Sequence, residues 1–574
     1  RFFQEKIDFL LSRLSTSIWG CTTRSRLSFF NSRFAICFLI APFFFIAQNT
    51  VAQQQEKPKI GLVLSGGGAK GFAHIGVLKV IEEAGIKIDY IGGTSMGAVI
   101  GGLYATGYNA AQIDSIFQAT DFNELINDFI PRSSKNFYER RNDESYALVL
   151  PFHKLKIGIP EALSKGMYNF NLLSRITRNV RHIKDFNQLP TPFLCIGTNI
   201  ETGEEVLLNK GNLAQAMIAS SAFPSLFSPV EIDGKILVDG GVVNNYPIEE
   251  VRKLGADIII GVDVQAGLWD RTQLKDATKI LVQITNLQSI ERMKKNITNT
   301  DVYIKPDVSQ YNVISFDKGG EIITKGEEAA FAVFEKIKNL GDDSNPYKKP
   351  KLMLISDSLK IKAINTNKLE DYTKEYINGK LRFKPKTNIT YENLLKGINN
   401  INATKNFSAI SYSFEAKGKG DDLDITLKEN PTKTYLKFGL HYDNLFKSGM
   451  LLNLTRKKAF FKNDIASIDV VLGDNIRYNL DYYIENGFNL SFGFKSYYNQ
   501  FNRNIGKQIS TIASNSTEVN SINVDYTDMT NQVYFQSLFV QKFLIGGGVE
   551  LKFLKIKSGT LANVDPVIDK SSYL

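Results

Sequence analysis

From Thr434 to Lys557 apolar and polar residues alternate with a period of two, and no other feature limits the fold of this chain so strongly. Ile476, Tyr478, Leu480, Tyr482 and Ile484 fall on one face of an extended segment, with Arg477, Asn479, Asp481, Tyr483 and Glu485 on the other. Phe488, Leu490, Phe492 and Phe494 alternate with Asn489, Ser491, Gly493 and Lys495. Similar segments recur at Thr434–Tyr442, Gly449–Arg456, Asp464–Gly473, Val519–Thr527, Asn531–Gln541 and Gly547–Lys557. Successive side chains point to opposite faces only in a strand, so the pattern predicts antiparallel β structure. Strands of about ten residues, apolar on one face and polar on the other, suit a transmembrane barrel. Strands of soluble sandwiches also alternate but average about 5–6 residues. The barrel is the preferred reading. Its eight countable strands, followed by the polar stretch Ser558–Ser572, fit a closed eight-stranded barrel or part of a larger one. The second is favoured, with a chain continuing beyond Leu574.

A different pattern marks the first half. The apolar run Ile88–Ile91 leads into Gly93-Thr94-Ser95-Met96-Gly97, and Ala98–Tyr104 reads as the start of a helix. A serine between strand and helix, with glycines two positions away on each side, fits a nucleophile elbow. The helix N-terminus there offers free N–H groups and a positive dipole end where an oxyanion would form. Upstream, the strand-like Ile60–Leu64 precedes Ser65-Gly66-Gly67-Gly68-Ala69-Lys70-Gly71, and a helical pattern runs from Ile75 to Glu83. Gly66-x-Gly68-x-x-Gly71 matches a dinucleotide fingerprint, with Asp89 near the place of a ribose-binding acid. A phosphate-binding P-loop is excluded, because no Gly-Lys-Ser/Thr closes the loop. The remaining readings are an oxyanion loop built on bare backbone N–H groups at Gly67 and Gly68, and an ordinary glycine turn.

A serine nucleophile needs a base. The chain has 4 histidines, His74, His153, His182 and His441, and none has the setting of a Ser-His-Asp triad, so each reads as structural. The better candidate is Asp239, which ends the apolar run Ile236–Val238 and is followed by Gly240 and Gly241. An Asp-Gly turn is common in its own right. Here Asn244-Asn245-Tyr246-Pro247 follows, so the whole stretch is a loop of the kind that carries sites. A carboxylate acts as base toward an alcohol only when desolvated and within hydrogen-bond reach.

The order and spacing of Gly66–Gly71, Gly93–Gly97 and Asp239–Gly241 resemble the patatin-like phospholipases over roughly residues 58–340. The resemblance implies an α/β sandwich with a mostly parallel central sheet flanked by helices. It implies a Ser-Asp dyad without histidine, with Ser95 as nucleophile and Asp239 as general base. Gly66, Gly67 and Gly68 would line the oxyanion hole, and Gly71, Gly93, Gly97, Gly240 and Gly241 are motif glycines. The segment Ala219–Pro224 also resembles a family stretch, with no chemistry assigned. The implied substrate is a phospholipid or other lipid ester, cleaved through an acyl-enzyme with no metal and no cofactor.

After a polar linker, Gly341–Pro346, and a basic Tyr347–Lys351, residues 351–430 read as strand, helix, helix, strand, strand. Leu352–Ile361, Lys368–Asn378, Tyr391–Asn402, Phe407–Glu415 and Leu423–Lys428 are the expected elements. A generic small α+β domain would satisfy that order. Followed by a barrel at 433–574, it resembles a POTRA domain ahead of a surface-antigen-type outer-membrane barrel, whose family members have about sixteen strands.

Near the start, three arginines between Arg24 and Arg33 precede an apolar run, Phe34–Ala47, and the small-residue site Thr50-Val51-Ala52. This layout predicts an export signal within residues 1–52. The alternative is a membrane anchor, but the run falls short of the ~20 residues that span a bilayer. Of 3 cysteines, Cys21 and Cys37 lie in this segment, so the exported chain would keep Cys195 and no disulfide framework. The expected location is the outer membrane of a Gram-negative envelope, with the bilayer and the barrel assembly machinery as partners. The net charge of +10 comes from lysine-rich strand ends and signal arginines, and no basic motif points to nucleic acid. Two functions remain: a lipid acyl hydrolase exported with its own barrel, or a transport barrel whose patatin-like domain only binds.

Overall fold

The computed structural model describes residues 57–573, apart from 136–138, 141–143, 154–155, 159–161, 273, 276, 342–344, 354, 486–489, 507–520, 540–542 and 559–570. The expected export signal over 1–52 lies outside the described residues, as do parts of the linker and of the Phe488–Lys495 strand.

The first sheet begins where the sequence is most uniformly apolar. β1 (Ile60–Leu64) and β2 (Tyr90–Thr94) pair in parallel and are almost wholly buried, as strands covered on both faces must be. After β3 (Leu148–His153) and β4 (Lys156–Ile157), which leave this sheet, come β5 (Phe193–Asn199), β6 (Glu205–Leu208), β7 (Val230–Ile232), β8 (Lys235–Asp239), β9 (Ile258–Val262) and β10 (Val302–Ile304). Their order is β10-β9-β1-β2-β5-β8-β7, with β6 on β5. The pairings from β10 to β5 are parallel, and those of β6, β7 and β8 are antiparallel. The two faces follow the pleat. Leu62 and Leu64 join a core with Ile75, Ile100 and Leu103, whereas Val63 packs with Ile248, Val251 and Met293. Helices therefore cover both sides, as the family resemblance implied.

A four-stranded sheet follows, formed by β11 (Ser358–Thr366), β12 (Thr387–Thr390), β13 (Phe407–Ala416) and β14 (Asp421–Glu429) in the order β12-β11-β14-β13. Helices Lys374–Leu381 and Tyr391–Ala403 accompany it. Two expectations are corrected here. The first strand starts at Ser358 rather than Leu352, and β12 is an additional short strand that the reading of this region omitted. Thr387–Thr390 is too short to show periodicity, and its pairing with β11 makes it a strand.

The last sheet has ten strands, and seven of them follow the alternating segments: β15 (Thr434–Asp443), β16 (Lys447–Lys457), β17 (Asp464–Gly473), β18 (Arg477–Ile484), β19 (Ser491–Gly506), β20 (Ser521–Phe539) and β21 (Phe543–Lys557). The short β22 (Ser571–Tyr573) lies past them and corrects the reading of Ser558–Ser572 as a polar stretch without a strand. The segments Val519–Thr527 and Asn531–Gln541 are one strand, β20, because the chain continues extended through Asp528–Thr530 in unbroken register with β19. The sheet is open among the described residues, in the order β22-β21-β20-β19-β18-β17-β16-β15-β3-β4. Its far end is thus made of β3 and β4, which belong by sequence to the first region. Along β16 and β17, Asn453, Thr455, Ser467 and Asp469 are buried on one face, while Met450, Leu454 and Ile468 are exposed on the other. Asn453 Nδ2 donates to Ser467 Oγ at 2.8 Å and to Asp469 Oδ1 at 2.6 Å.

Candidate active site

Strand register brings the two candidate catalytic side chains together. Thr94 of β2 pairs with Ile196 of β5, so Ser95 follows level with Gly197, and Gly197 pairs with Asp239 of β8. The Ser95 hydroxyl donates to Asp239 Oδ2 at 2.6 Å. Ser95 stands in a sharp elbow at φ 55° and ψ −125°, a region that costs a side chain of order 1–3 kcal/mol. The elbow closes because its flanks are bare: a Cβ on Gly97 would lie 2.2 Å from Leu64 O, and one on Gly93 2.4 Å from Gly97 O. The helix Met96–Ala105 starts directly after the serine, which puts its N-terminal N–H groups beside the hydroxyl.

Asp239 is 5 % exposed. Its Oδ1 accepts from Gly241 N–H at 2.7 Å, and its carbonyl accepts from Thr198 Oγ1 at 2.9 Å. Burial raises its pKa to about 6, against the lowering effect of the Ser95 and Gly241 hydrogen bonds. A carboxylate so placed is ionised at neutral pH yet far more basic than an exposed aspartate.

The glycine loop leaves β1 next to β2, so it reaches the same sheet edge as Ser95. Gly68 has φ +59°, where glycine is favoured. The N–H groups of Gly67 and Gly68 have no hydrogen-bond acceptor among the described residues, and both glycines line the cavity at Ser95. Gly66 also lines it, but its N–H donates to Asn245 Oδ1 at 3.1 Å. Of the three glycines expected to line an oxyanion hole, all line the cavity, and Gly67 and Gly68 are the two whose N–H groups are left without an acceptor among the described residues.

Three contributors escaped the sequence reading. Asn245, 6 % exposed, also donates its Nδ2 to Gly66 O at 3.2 Å, so one side chain clamps both sides of that residue to the loop carrying Asp239. Ser220 Oγ accepts from Ser95 N–H at 3.1 Å, which gives a role to the segment Ala219–Pro224. Lys70 lines the cavity while buried, and desolvation, followed by repulsion from Lys305, lowers its pKa to about 8. Asn245 was legible as part of a polar loop, but only the fold shows what it touches.

Among the described side chains, no histidine contact reaches Ser95. His74 Nε2 lies 2.8 Å from Ser65 O, and burial lowers its pKa to about 4, so it is neutral. His182 Nε2 is 2.6 Å from Asp421 Oδ1, and His441 pairs with Asp443.

Ser95 and Asp239 line a cavity of about 610 Å³. Leu103, Phe117, Phe122, Leu173, Ile218 and Phe227 are among its walls. An apolar cavity of this size, with a few convergent polar groups at one end, suits a long acyl chain whose reacting carbonyl stays at the polar end.

Residues 62–252 match the family model of patatin-like phospholipases, and residues 421–574 match that of the OMP85 superfamily. The chain is 28% identical over 310 residues to lysophospholipase NTE1 of Pyricularia oryzae, covering 49% of this chain and 19% of that protein. Against lysophospholipase NTE1 of Saccharomyces cerevisiae it is 29% identical over 314 residues, covering 50% of this chain and 17% of the other. It thus spans about a fifth of the length of these curated relatives. Among solved structures, VipD from Legionella pneumophila is similar with a TM-score of 0.29 and 15% identity, covering 49% of this chain and 67% of that one.

Proposed function

We propose that this chain, a patatin-like phospholipase region joined to an OMP85-superfamily strand region, hydrolyses carboxylic ester bonds of phospholipids or lysophospholipids at the outer membrane of a Gram-negative envelope. The observation that carries the reading is the 2.6 Å hydrogen bond from Ser95 to a buried, basic Asp239 at the head of an apolar cavity. Lipid ester hydrolysis agrees with the similarity to lysophospholipases.

Ser95 Oγ attacks the ester carbonyl carbon while Asp239 Oδ2 takes the hydroxyl proton. The N–H groups of Gly67 and Gly68 meet the oxyanion, a contribution typically worth ~10²–10³ in rate per donor. Collapse breaks the C–O bond, and the departing alcohol takes the proton from Asp239. Water then attacks the acyl-Ser95 carbonyl, giving its proton to Asp239, and the fatty acid leaves as Ser95 regains its hydrogen.

Within this reading, residues 351–430 are a POTRA-type module and the alternating strands cross the bilayer. Polar side chains inward and apolar side chains outward, as at Asn453 and Ile468, favour lipid around that sheet. The second reading, a transport barrel with a non-catalytic module, leaves the pairing of Ser95 with Asp239 without a purpose. The deciding experiment compares purified full-length protein with Ser95→Ala on a p-nitrophenyl ester and on phospholipid. Loss of at least ~10⁴-fold in kcat is expected, and undiminished hydrolysis by a folded Ser95→Ala protein would overturn the proposal.

A further inference from the structure

We propose that the first turns of the helix Ala277–Thr298 dock on a phospholipid surface: Ile280, Ile284 and Leu287 enter the lipid, while the opposite side of the same turns forms a wall of the acyl cavity. Leu281, Val282, Thr285 and Asn286 line the cavity that holds Ser95 and Asp239. Residues three and four apart share a helix face, so Ile280, Ile284 and Leu287 form one stripe, turned away from that wall. They are 44, 60 and 53 % exposed. The turns from Ile280 to Leu287 thus carry apolar residues inside and outside, the composition of a buried helix. Yet their outer side faces solvent.

The second half of the same helix behaves differently. Arg292 pairs with Glu205 at 2.6 Å and with Glu250 at 2.8 Å, and Asn296 Nδ2 donates to Tyr246 O at 2.7 Å. Met293 packs with Val63 and Ile259. Asn244 Nδ2 also donates to Glu205 at 3.2 Å, so this half is fastened to the loop that follows Asp239. Its outer face carries Glu291, Lys294 and Lys295, as a solvated face does. Among the described residues, large exposed apolar side chains on this helix stop at Leu287. Water would favour polar residues along the whole face, so the change at Leu287 marks a change of surroundings.

Area and charge choose lipid over a protein partner. Three half-exposed side chains fall far short of the about 800 Å² that each partner of a stable protein pair buries. A bilayer accepts a single apolar stripe without matching its shape. From Arg271 to Ile290 the chain has three cations, Arg271, Lys275 and Lys279, against one acid, Asp276. Arg271 and Lys275 are exposed, and cations beside an apolar stripe are what anionic headgroups attract. Ile314, also exposed, lines the same cavity, so part of its rim is apolar too. With the stripe in lipid, an acyl chain enters the cavity along Leu281 and Val282 without crossing water. The implied substrate is an ester lipid drawn directly from a bilayer. This consequence rests on the proposed hydrolase, but the docking itself is read without turnover.

The test uses the full chain with Cys21→Ser and Cys37→Ser, which leaves the buried Cys195. It carries Ile284→Cys or, as the reference on the fastened half, Lys294→Cys, each labelled with the fluorophore NBD. The protein is reconstituted in vesicles of phosphatidylethanolamine and phosphatidylglycerol. The probe at 284 is expected to emit at shorter wavelength than the reference and to be quenched by doxyl-labelled phosphatidylcholine, while the probe at 294 is not quenched. A probe at 284 that stays in water would overturn the docking. One that is shielded yet untouched by doxyl lipid would overturn it in favour of a protein contact such as a second copy. Ile284→Glu with Leu287→Glu is expected to lower the ratio of vesicle-phospholipid to soluble-ester hydrolysis by about tenfold or more, the factor that burying one such side chain is worth. An unchanged ratio in a protein that still cleaves the soluble ester would refute the substrate's route. No hydrolysis of either substrate by the native protein would instead remove the proposed hydrolase, and the quenching would still decide the docking.

Discussion

Around the eight-stranded sheet, Leu62, Ile91 and Phe193 are inaccessible, and Ser220, Asp239 and Asn245 are buried polar groups at the site. In the ten-stranded sheet the arrangement is reversed: Asn453, Thr455 and Thr530 are buried, while Leu440, Phe492 and Val549 lie outward and exposed. One chain therefore follows two opposite rules for what to hide. Hydrophobic burial drives the first, since apolar surface leaves water. The second makes sense where the outer surface meets hydrocarbon and the polar groups satisfy each other inside, as Asn453, Ser467 and Asp469 do. Apparent exposure thus means different things in the two regions.

The most forceful way to break this comparison is a charge on an exposed apolar residue in each region. Ile468 of β17 is 37 % exposed and Phe331 of the helix Gly319–Phe331 is 48 % exposed. Ile468→Arg is expected to cost about 2–4 kcal/mol, because it drives a cation into lipid. Phe331→Arg should stay within about 0.5 kcal/mol, as surface substitutions do. Denaturant titration of the protein folded in lipid vesicles measures both, and equal costs would remove the membrane from the account.

The site supplies the next contrast, because there the first region buries an ionisable group, Asp239. Burial holds the Asp239 pKa near 6, above the value of about 3.8 in an exposed aspartate. The folded state thus favours the neutral acid. That contribution to stability is complete below about pH 4 and is lost as pH rises through about 6, so at pH 7 the ionised group opposes folding by up to about 3 kcal/mol. Asp239→Asn should therefore raise stability at pH 7 toward that limit while abolishing hydrolysis, checked by denaturant midpoint and ester assay together. A less stable Asn variant would show that the charge is better compensated than its burial suggests. Hydrolysis by the native protein should fall as pH drops below about 6, as the base becomes protonated. A pH profile flat from 7 to 5 would exclude Asp239 as base.

A smaller effect sharpens the comparison within the site. Asn245→Ala removes the clamp on Gly66 without touching Ser95 or Asp239. A fall of about 10²-fold in kcat with KM nearly unchanged is expected, the size of a misplaced oxyanion donor. An equal rise in KM would assign Asn245 to substrate binding instead.

Much of both regions was legible in the chain itself. Ile60–Leu64 is the strand that the apolar run announced, and Gly93–Gly97 is the elbow, because sterics leave few shapes to a serine between glycines. The alternation over Ile476–Glu485 put Asp481 and Tyr483 on one face, and that is the buried face of β18, since a pleat has no other period. Legibility failed where a contact joins distant residues. Neither Asn245 with Gly66 nor Ser220 with Ser95 carries a local signal, because each hydrogen bond is set by how β1, β2, β5 and β8 line up.

The local code of this protein, its strands, its elbow and its two-faced segments, was therefore determined by sequence alone, through sterics and periodicity acting over a few residues. The tertiary structure decided the rest. It aligned Ser95 with Asp239 across Gly197, buried the carboxylate and so raised its pKa, paired the Gly66 N–H with Asn245, and carried Leu148–His153 away from its own sheet to the edge of β15. These are matters of register and desolvation between segments far apart in the chain, and no stretch of sequence contains them.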